Sequence, residues 1–419
     1  DQIAAVTFTE NAATTMKLRL RERLEATRVD SSLSPDERGR AGAALEVLER
    51  ANVSTIHALC AAMLQERPLE CGVVPGFRMA DEAEADMLFA RAWEEWLGER
   101  LTHGDDVLLE ALDLGVPLEA LSTWGERSSL RGLARVLLEQ RDLEPLVAEA
   151  PFDPAAAREE LRAKAARARA LCDGVQEGDA LADRLAAFVQ HVESAAFMEG
   201  TKLVEHILSP PSVPKNFGHR PRWPSVEALE EARGLAAWVK ESAERWSAAL
   251  GADVHGRLVR ALTGVTTLYE GHKTERGVLD FLDLLVKTRD ALRDRPAVRD
   301  YFQRRFRYLI IDEFQDTDPL QVEIARLLTG DRPGALVVVG DAKQSIYRFR
   351  RAEVRFFREL AAGARTTDGG AVLHLKQNFR SRPAILRFVN RVFAELIEES
   401  EPADQPPYEP IDPPPGLSD

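Results

Sequence analysis

The chain has 419 residues, 45% of them hydrophobic and 30% charged, and carries a formal net charge of −14. That length allows two or three domains with sizeable cores, and no apolar run is long enough to span a membrane, so a disordered chain and a helical membrane protein are both excluded. The acidic balance excludes a surface that is basic throughout, but leaves room for a local basic groove.

No signal peptide is visible. The chain begins at Asp1 with no initiator Met, already inside an expected strand, and ends in a proline-rich run over residues 406–415, so a piece of something larger is expected. Cys60, Cys71 and Cys172 show neither paired metal-ligand spacing nor a disulfide framework, which suits buried thiols in a reducing cytoplasm.

Residues 3–9 predict a strand and residues 12–27 a helix, with Met16, Leu20 and Leu24 at helical spacing. Thr7 and Thr9 at the strand end can hydrogen-bond a nucleic-acid backbone, and Phe8 can stack on a base. The same residues also suit an ordinary strand-to-helix junction. Residues 31–45 read as a polar loop entering a helix. A second β-branched stretch, 53–56, runs into His57 and a helix over 58–65, where Thr55 and His57 are further candidates or plain structural residues.

From residue 81 to about 295 the composition turns to Ala, Leu, Glu and Arg, as in 155–171 and 226–250, which predicts a mostly helical insertion between two parts of an α/β domain. Within it, residues 209–224 form a proline-rich loop with Lys215, Arg220 and Arg222, suited to solvent or to nucleic acid. Gly271-His272-Lys273-Thr274 superficially looks like a phosphate-binding loop. Its Lys does not follow the Gly directly and its surroundings are not strand-loop-helix, so it is rejected.

The organising stretch is residues 308–317. An apolar run ends abruptly in Asp312 and Glu313, the pattern of a buried parallel strand delivering acids to the carboxyl edge of a sheet, where open α/β folds bind ligands. An aspartate there can hold Mg²⁺ against the β- and γ-phosphates, and a neighbouring glutamate can take the proton from an attacking water. A core strand running into a solvated acidic turn would give the same first two residues.

A helix over 319–328 and an apolar strand over 335–339 follow, making a crossover in a parallel sheet. The second strand ends in Gly340-Asp341 and then Lys343, Gln344, Ser345, Tyr347, Arg348, Phe349, Arg350 and Arg351, a local reversal of the global acidity. A neutral Gln at that edge can reach a γ-phosphate or its attacking water, and an aromatic among arginines suits a base stacked beside its phosphates. A further strand is expected over 372–375, then Arg380, whose guanidinium can reach a γ-phosphate, with Ser381 capping and Pro383 opening a last helix.

Together these stretches resemble the superfamily 1 DNA helicases of the UvrD/Rep class, and the RecB/AddA-type helicase-nuclease subunits most closely. Thr7-Phe8-Thr9 with Asn11-Ala12-Ala13 resembles motif Ia, and Ser54-Thr55-Ile56-His57 motif Ib. Asp312-Glu313-Phe314-Gln315-Asp316-Thr317 resembles motif II, Gly340 through Arg350 motif III, and Gln377-Asn378-Phe379-Arg380-Ser381 motif IV. Lys343-Gln344, the Arg348-Phe349-Arg350 run, and Pro75-Gly76-Phe77-Arg78 followed by Asp81-Glu82 carry the lean towards RecB/AddA.

The resemblance implies an α/β fold built on a RecA-like P-loop NTPase sheet. Domain 1A would occupy residues 1–80 and 296–365, a helical 1B-type insertion 81–295, and the start of a second RecA-like domain, 2A, 366–419. It implies ATP and Mg²⁺ as cofactors, with Asp312 on the metal, Glu313 as base, Gln344 coupling the γ-phosphate to DNA and Arg380 as arginine finger. Phe8, Tyr347, Phe349 and Arg350, with Thr7, Thr9, Thr55 and His57, would grip single-stranded DNA near a duplex junction. The implied activity is a 3′ to 5′ ATP-dependent helicase in recombinational double-strand-break repair, with no membrane and a possible helicase-nuclease partner. The family's phosphate-binding loop, and its motifs V and VI, are not matched, so this stretch alone is expected to lack ATPase activity. A non-hydrolysing DNA- or partner-binding remnant, and a plain UvrD/Rep repair helicase without nuclease, are the alternatives.

Overall fold

The computed structural model describes residues 2–120, 128–145, 151–214, 216–366, 370–397 and 408–413. Lys215 and the outer parts of the 406–415 run lie outside them. The chain forms two compact units, one of Asp1–Asp81 with Thr274–Asp419 and one of Glu82–Lys273.

The first unit is built on a four-stranded sheet of β1 (Ile3–Thr7), β2 (Asn52–Thr55), β5 (Tyr308–Ile311) and β6 (Leu336–Val338), in the order β2-β1-β5-β6. All three pairings are parallel, with Ala4 opposite Asn52, Ile3 opposite Tyr308, and Leu309 opposite Leu336. Ala4, Val6, Leu309 and Ile311 alternate along their strands and so turn one face of the sheet into the core. Helices Ile56–Glu66, Phe281–Asp294 and Pro319–Thr329 pack into the same core, where Cys60, Leu64, Leu292, Phe302 and Ile324 are fully enclosed. Burying one such leucine contributes about 1.5–3 kcal/mol.

Two points differ from the sequence reading. Helix Phe281–Asp294 sits in the sheet unit, because Leu284, Leu285, Ala291 and Leu292 form an apolar stripe that the sheet core covers; its helix-forming composition resembles the preceding insertion. A pair of two-residue strands, β3 (Arg78–Met79) and β4 (Val278–Leu279), also joins in parallel.

Burial pushes the Cys60 thiol up to about 12 and that of Cys71 up to about 11, and also raises Cys172.

The second unit is helical. Helices Pro154–Cys172, Ala180–Ser194 and Gly200–Leu208 pack with the amino-terminal part of Val226–Arg276 around Leu181, Leu185, Phe188, Ile207 and Trp223. Val226–Arg276 runs 51 residues, about 77 Å at 1.5 Å per residue. Its apolar positions recur every three or four residues, as in Leu229, Ala232, Leu235, Ala236 and Val239. The rejected Gly271–Lys273 sequence is one turn of this helix, with Lys273 buried and its Nζ 2.8 Å from Glu270 Oε1.

Candidate functional site

Because the four strands are parallel, their carboxyl ends share one edge. The order reverses between β1 and β5, the switch point at which open α/β sheets leave a ligand crevice. Phe8, Thr55, Asp312 and Asp341 all leave the sheet at this edge.

The Asp312 N–H donates to Val6 O at 2.9 Å, the last rung between β5 and β1. Asp312 is half-buried, and its Oδ1 accepts the Glu313 N–H at 3.1 Å. Glu313 then turns into the left-handed region at φ 54°. For a side chain with a Cβ that conformation costs on the order of 1 kcal/mol, so its surroundings must hold it there.

They do so on the β6 side. The Phe314 N–H donates to Val339 O at 3.0 Å, and the buried Phe314 ring lies 6.1 Å from Phe357. Gln315, only 2% exposed, donates from Nε2 to Glu313 Oε2 at 2.7 Å and accepts the Asp341 N–H on Oε1 at 3.0 Å. Ser345 Oγ donates to Gln315 O at 3.2 Å. The backbone of Gly340 comes so close that a Cβ there would sit 2.5 Å from Gln315 Oε1 and 3.1 Å from Phe314 N.

Past Gly340 the Asp341 carboxylate takes the Gln344 Nε2–H at 3.0 Å and Lys343 Nζ at 3.1 Å. Burial alone would raise this carboxyl, but the hydrogen bonds from Gln344 and Lys343 outweigh it and hold it below the ordinary range. Asp316 moves the other way. Its Oδ1 is buried with no hydrogen-bond partner among the described residues, and burial first, then the Glu313 charge, push its carboxyl up.

Beside these acids stands an aromatic ladder. The Phe8 ring is 5.0 Å from Tyr347, and Tyr347 is 5.7 Å from Phe349. The Arg350 guanidinium lies over both, 5.4 Å from the Tyr347 centroid and 5.9 Å from that of Phe349. Phe349 is 78% exposed. Leaving such a ring in water is unfavourable unless a partner covers it.

The hydroxyls flagged nearby hold the chain's own backbone. Thr7 Oγ1 donates to Thr9 O at 2.9 Å, and Thr9 Oγ1 accepts the Ala12 N–H at 3.1 Å as the N-cap of helix Glu10–Val29. Thr55 caps Ile56–Glu66 through the Ala58 N–H at 3.2 Å and donates to Glu10 Oε1 at 2.9 Å. His57 packs edge-on to Phe281 at 5.6 Å, and burial lowers its pKa.

Arg380 lies apart from this network. It is exposed, and its N–H donates to Asn378 Oδ1 at 2.9 Å. The strand expected over 372–375 does not form: Gln377 makes a single parallel bridge to Asp412, and Leu373 and Leu375 are 87% and 93% exposed. An apolar stretch becomes a strand only with a ladder neighbour, and none flanks it among the described residues. Ser381 does not cap either. Arg382 is the N-cap residue of Pro383–Leu396, with Pro383 in the first turn, while Asn378 Oδ1 takes the Arg380 and Ser381 N–H groups.

Gln315 and Gly340 were given no role from sequence. Gln315 stands between the buried Phe314 and the half-buried Asp316, two positions after Glu313, and its contact to Asp341 becomes legible only when β6 is placed beside β5.

A family model, the UvrD/REP helicase N-terminal domain, matches residues 1–364. The chain is 25% identical over 475 residues to the A subunit of the ATP-dependent helicase/nuclease of Lysinibacillus sphaericus, covering 95% of this chain and 36% of the relative. The protein of the same name from Geobacillus kaustophilus is 28% identical over 464 residues, covering 96% and 36%. That from Latilactobacillus sakei is 39% identical over 155 residues, covering 35% and 17%. The chain thus spans little more than a third, 36%, of the relatives it matches along its length. The matched residues take in the parallel sheet, the acidic edge and the helical unit, and the chain belongs to the UvrD/REP helicase N-terminal domain family.

Proposed function

We propose that this chain contributes acid, base and strand-gripping residues to an ATP-dependent DNA helicase of the helicase-nuclease kind, moving 3′ to 5′ in recombinational repair, and does not hydrolyse ATP by itself. Family membership supports the reading, and one observation carries it. A hydrogen-bonded path runs from Glu313 through Gln315 to Asp341 and Gln344, which lies three residues before Tyr347, the neighbour of the exposed Phe349. Chemistry at the acids and grip on a base are therefore mechanically joined.

In this reading residues 1–81 and 274–365 of the sheet unit are domain 1A, Glu82–Lys273 the 1B-type insertion, and residues 366–419 the beginning of 2A. Among the described residues no group of three or more His, Cys, Asp or Glu converges to hold a metal. Mg²⁺ in such sites takes one or two carboxylates and leaves the rest of its shell to phosphate oxygens and water, and the half-buried Asp312 fits that demand. When bound, Mg²⁺ would neutralise charge on the β- and γ-phosphate oxygens of ATP. Glu313 takes the proton of the attacking water. Gln344 exchanges Asp341 for the γ-phosphate, and Arg380 meets the charge developing on the transferred phosphoryl. Phe8, Tyr347 and Phe349 stack on bases, Arg350 balances their phosphates, and Thr7, Thr9, Thr55 and His57 shape the floor beneath the strand. A partner subunit, as the helicase/nuclease names of the relatives suggest, would dock beside this motor.

In the full-length protein, Glu313→Gln is expected to abolish DNA-stimulated ATP hydrolysis while leaving nucleotide binding intact. Unchanged turnover in that variant would overturn the reading.

A further inference from the structure

Gln315 links Glu313 to Asp341 but takes part in no chemical step of the proposed function, and it is the most enclosed polar side chain at the acidic edge. It is 2% exposed, and both ends of its carboxamide are engaged. We propose that Gln315 is a positioning residue: it fixes the Glu313 carboxylate by donating to it, and registers that carboxylate against the β6 edge by accepting the Asp341 N–H.

Three observations carry the assignment, which rests on the reading of Glu313 as base. The amide has one workable orientation. Turned over, its oxygen would face the Glu313 carboxylate and its NH₂ the Asp341 N–H, so both contacts would become repulsive. The group it holds needs holding, because Glu313 has a positive φ of 54° and an exposed side chain free to take other rotamers. The surroundings close in on Gln315: Gly340 approaches its Oε1 so closely that a Cβ there would lie 2.5 Å away, and Ser345 Oγ donates to its backbone carbonyl at 3.2 Å.

A base in hydrogen-bond reach of its water loses rate steeply when misplaced by as little as an ångström. The arrangement also gives direction to the coupling. The Asp341 N–H that Gln315 accepts belongs to the residue whose carboxylate holds Gln344, so a shift of the β6 edge moves the Glu313 carboxylate with it.

The test compares Gln315→Met, close in shape and without either hydrogen bond, with Gln315→Glu, close in shape and without the donor. In the full-length protein both are expected to lower kcat for DNA-stimulated ATP hydrolysis by about 10- to 100-fold with KM for ATP within about twofold of wild type. Wild-type kcat in a folded Gln315→Met protein overturns the positioning role. Glu313→Gln is run beside them. If it hydrolyses normally, the reading of the base has failed; if it is inactive while the Gln315 variants are not, this inference alone has failed.

A second measurement needs no hydrolysis. Thermal unfolding of Gln315→Met is compared in the wild-type and Glu313→Ala backgrounds. The Tm loss is expected to be clearly smaller when Glu313 is already gone. Equal losses in the two backgrounds would mean that the two side chains are not coupled, and would overturn the proposal.

Discussion

Residues 308–350 and residues 370–397 both carry stretches that resemble helicase motifs, yet they are held in opposite ways. In the first, the sheet fixes each strand end, and Gln315 holds Glu313 at 2.7 Å in its own loop while taking the Asp341 N–H of the next at 3.0 Å. In the second, Leu373, Leu375 and Phe379 are each more than three-quarters exposed, at 87%, 93% and 77%. Asn390 ties the helix Pro383–Leu396 to Tyr408 and Ile411 instead of to the sheet. A motif marks which residues matter; its neighbours decide whether they are positioned.

Four substitutions sharpen that contrast, taken from the largest effect downward. Leu309→Ala in β5 empties a site that is 1% exposed and is expected to cost about 2–5 kcal/mol, read by denaturant unfolding. A loss under about 1 kcal/mol would mean that the sheet core is not closed around it. Gly340→Ala forces Gln315 and Phe314 aside and is expected to cost about 1–3 kcal/mol. Phe349→Ala should leave stability within about 0.5 kcal/mol and weaken single-stranded DNA binding by about 1–3 kcal/mol, measured by fluorescence anisotropy; wild-type affinity would remove Phe349 from the strand path. Leu375→Ala, at a side chain 93% exposed, is expected to change stability by no more than about 0.5 kcal/mol. A cost like that of Leu309 would erase the distinction between the two stretches.

The strands were legible because their apolar runs are only a few residues long, rich in β-branched residues and bounded by Gly or an acid, features that favour a strand over a helix. Residues 308–311 form β5, and β1, β2 and β6 fall within two residues of their expected bounds. What stayed hidden depended on neighbours that one stretch cannot announce. The exposed 372–375 run has the composition of a strand and lacks the ladder. Helix Phe281–Asp294 has the composition of the insertion and the partners of the sheet. Thr9 and Thr55 looked available for a ligand, and their hydroxyls cap helices. Gln315 was the least legible, since its importance lies in a contact to Asp341 that is 26 residues away along the chain.

The two enclosed thiols carry a practical consequence. Burial raises the pKa of both Cys60 and Cys71, which disfavours the reactive thiolate at neutral pH, and it blocks access as well. Maleimide chemistry would pass these two positions by. Once the half-buried Cys172 is replaced, a single cysteine introduced at exposed Ile346 would accept a fluorophore selectively, giving a reporter next to the aromatic ladder in a protein otherwise left intact.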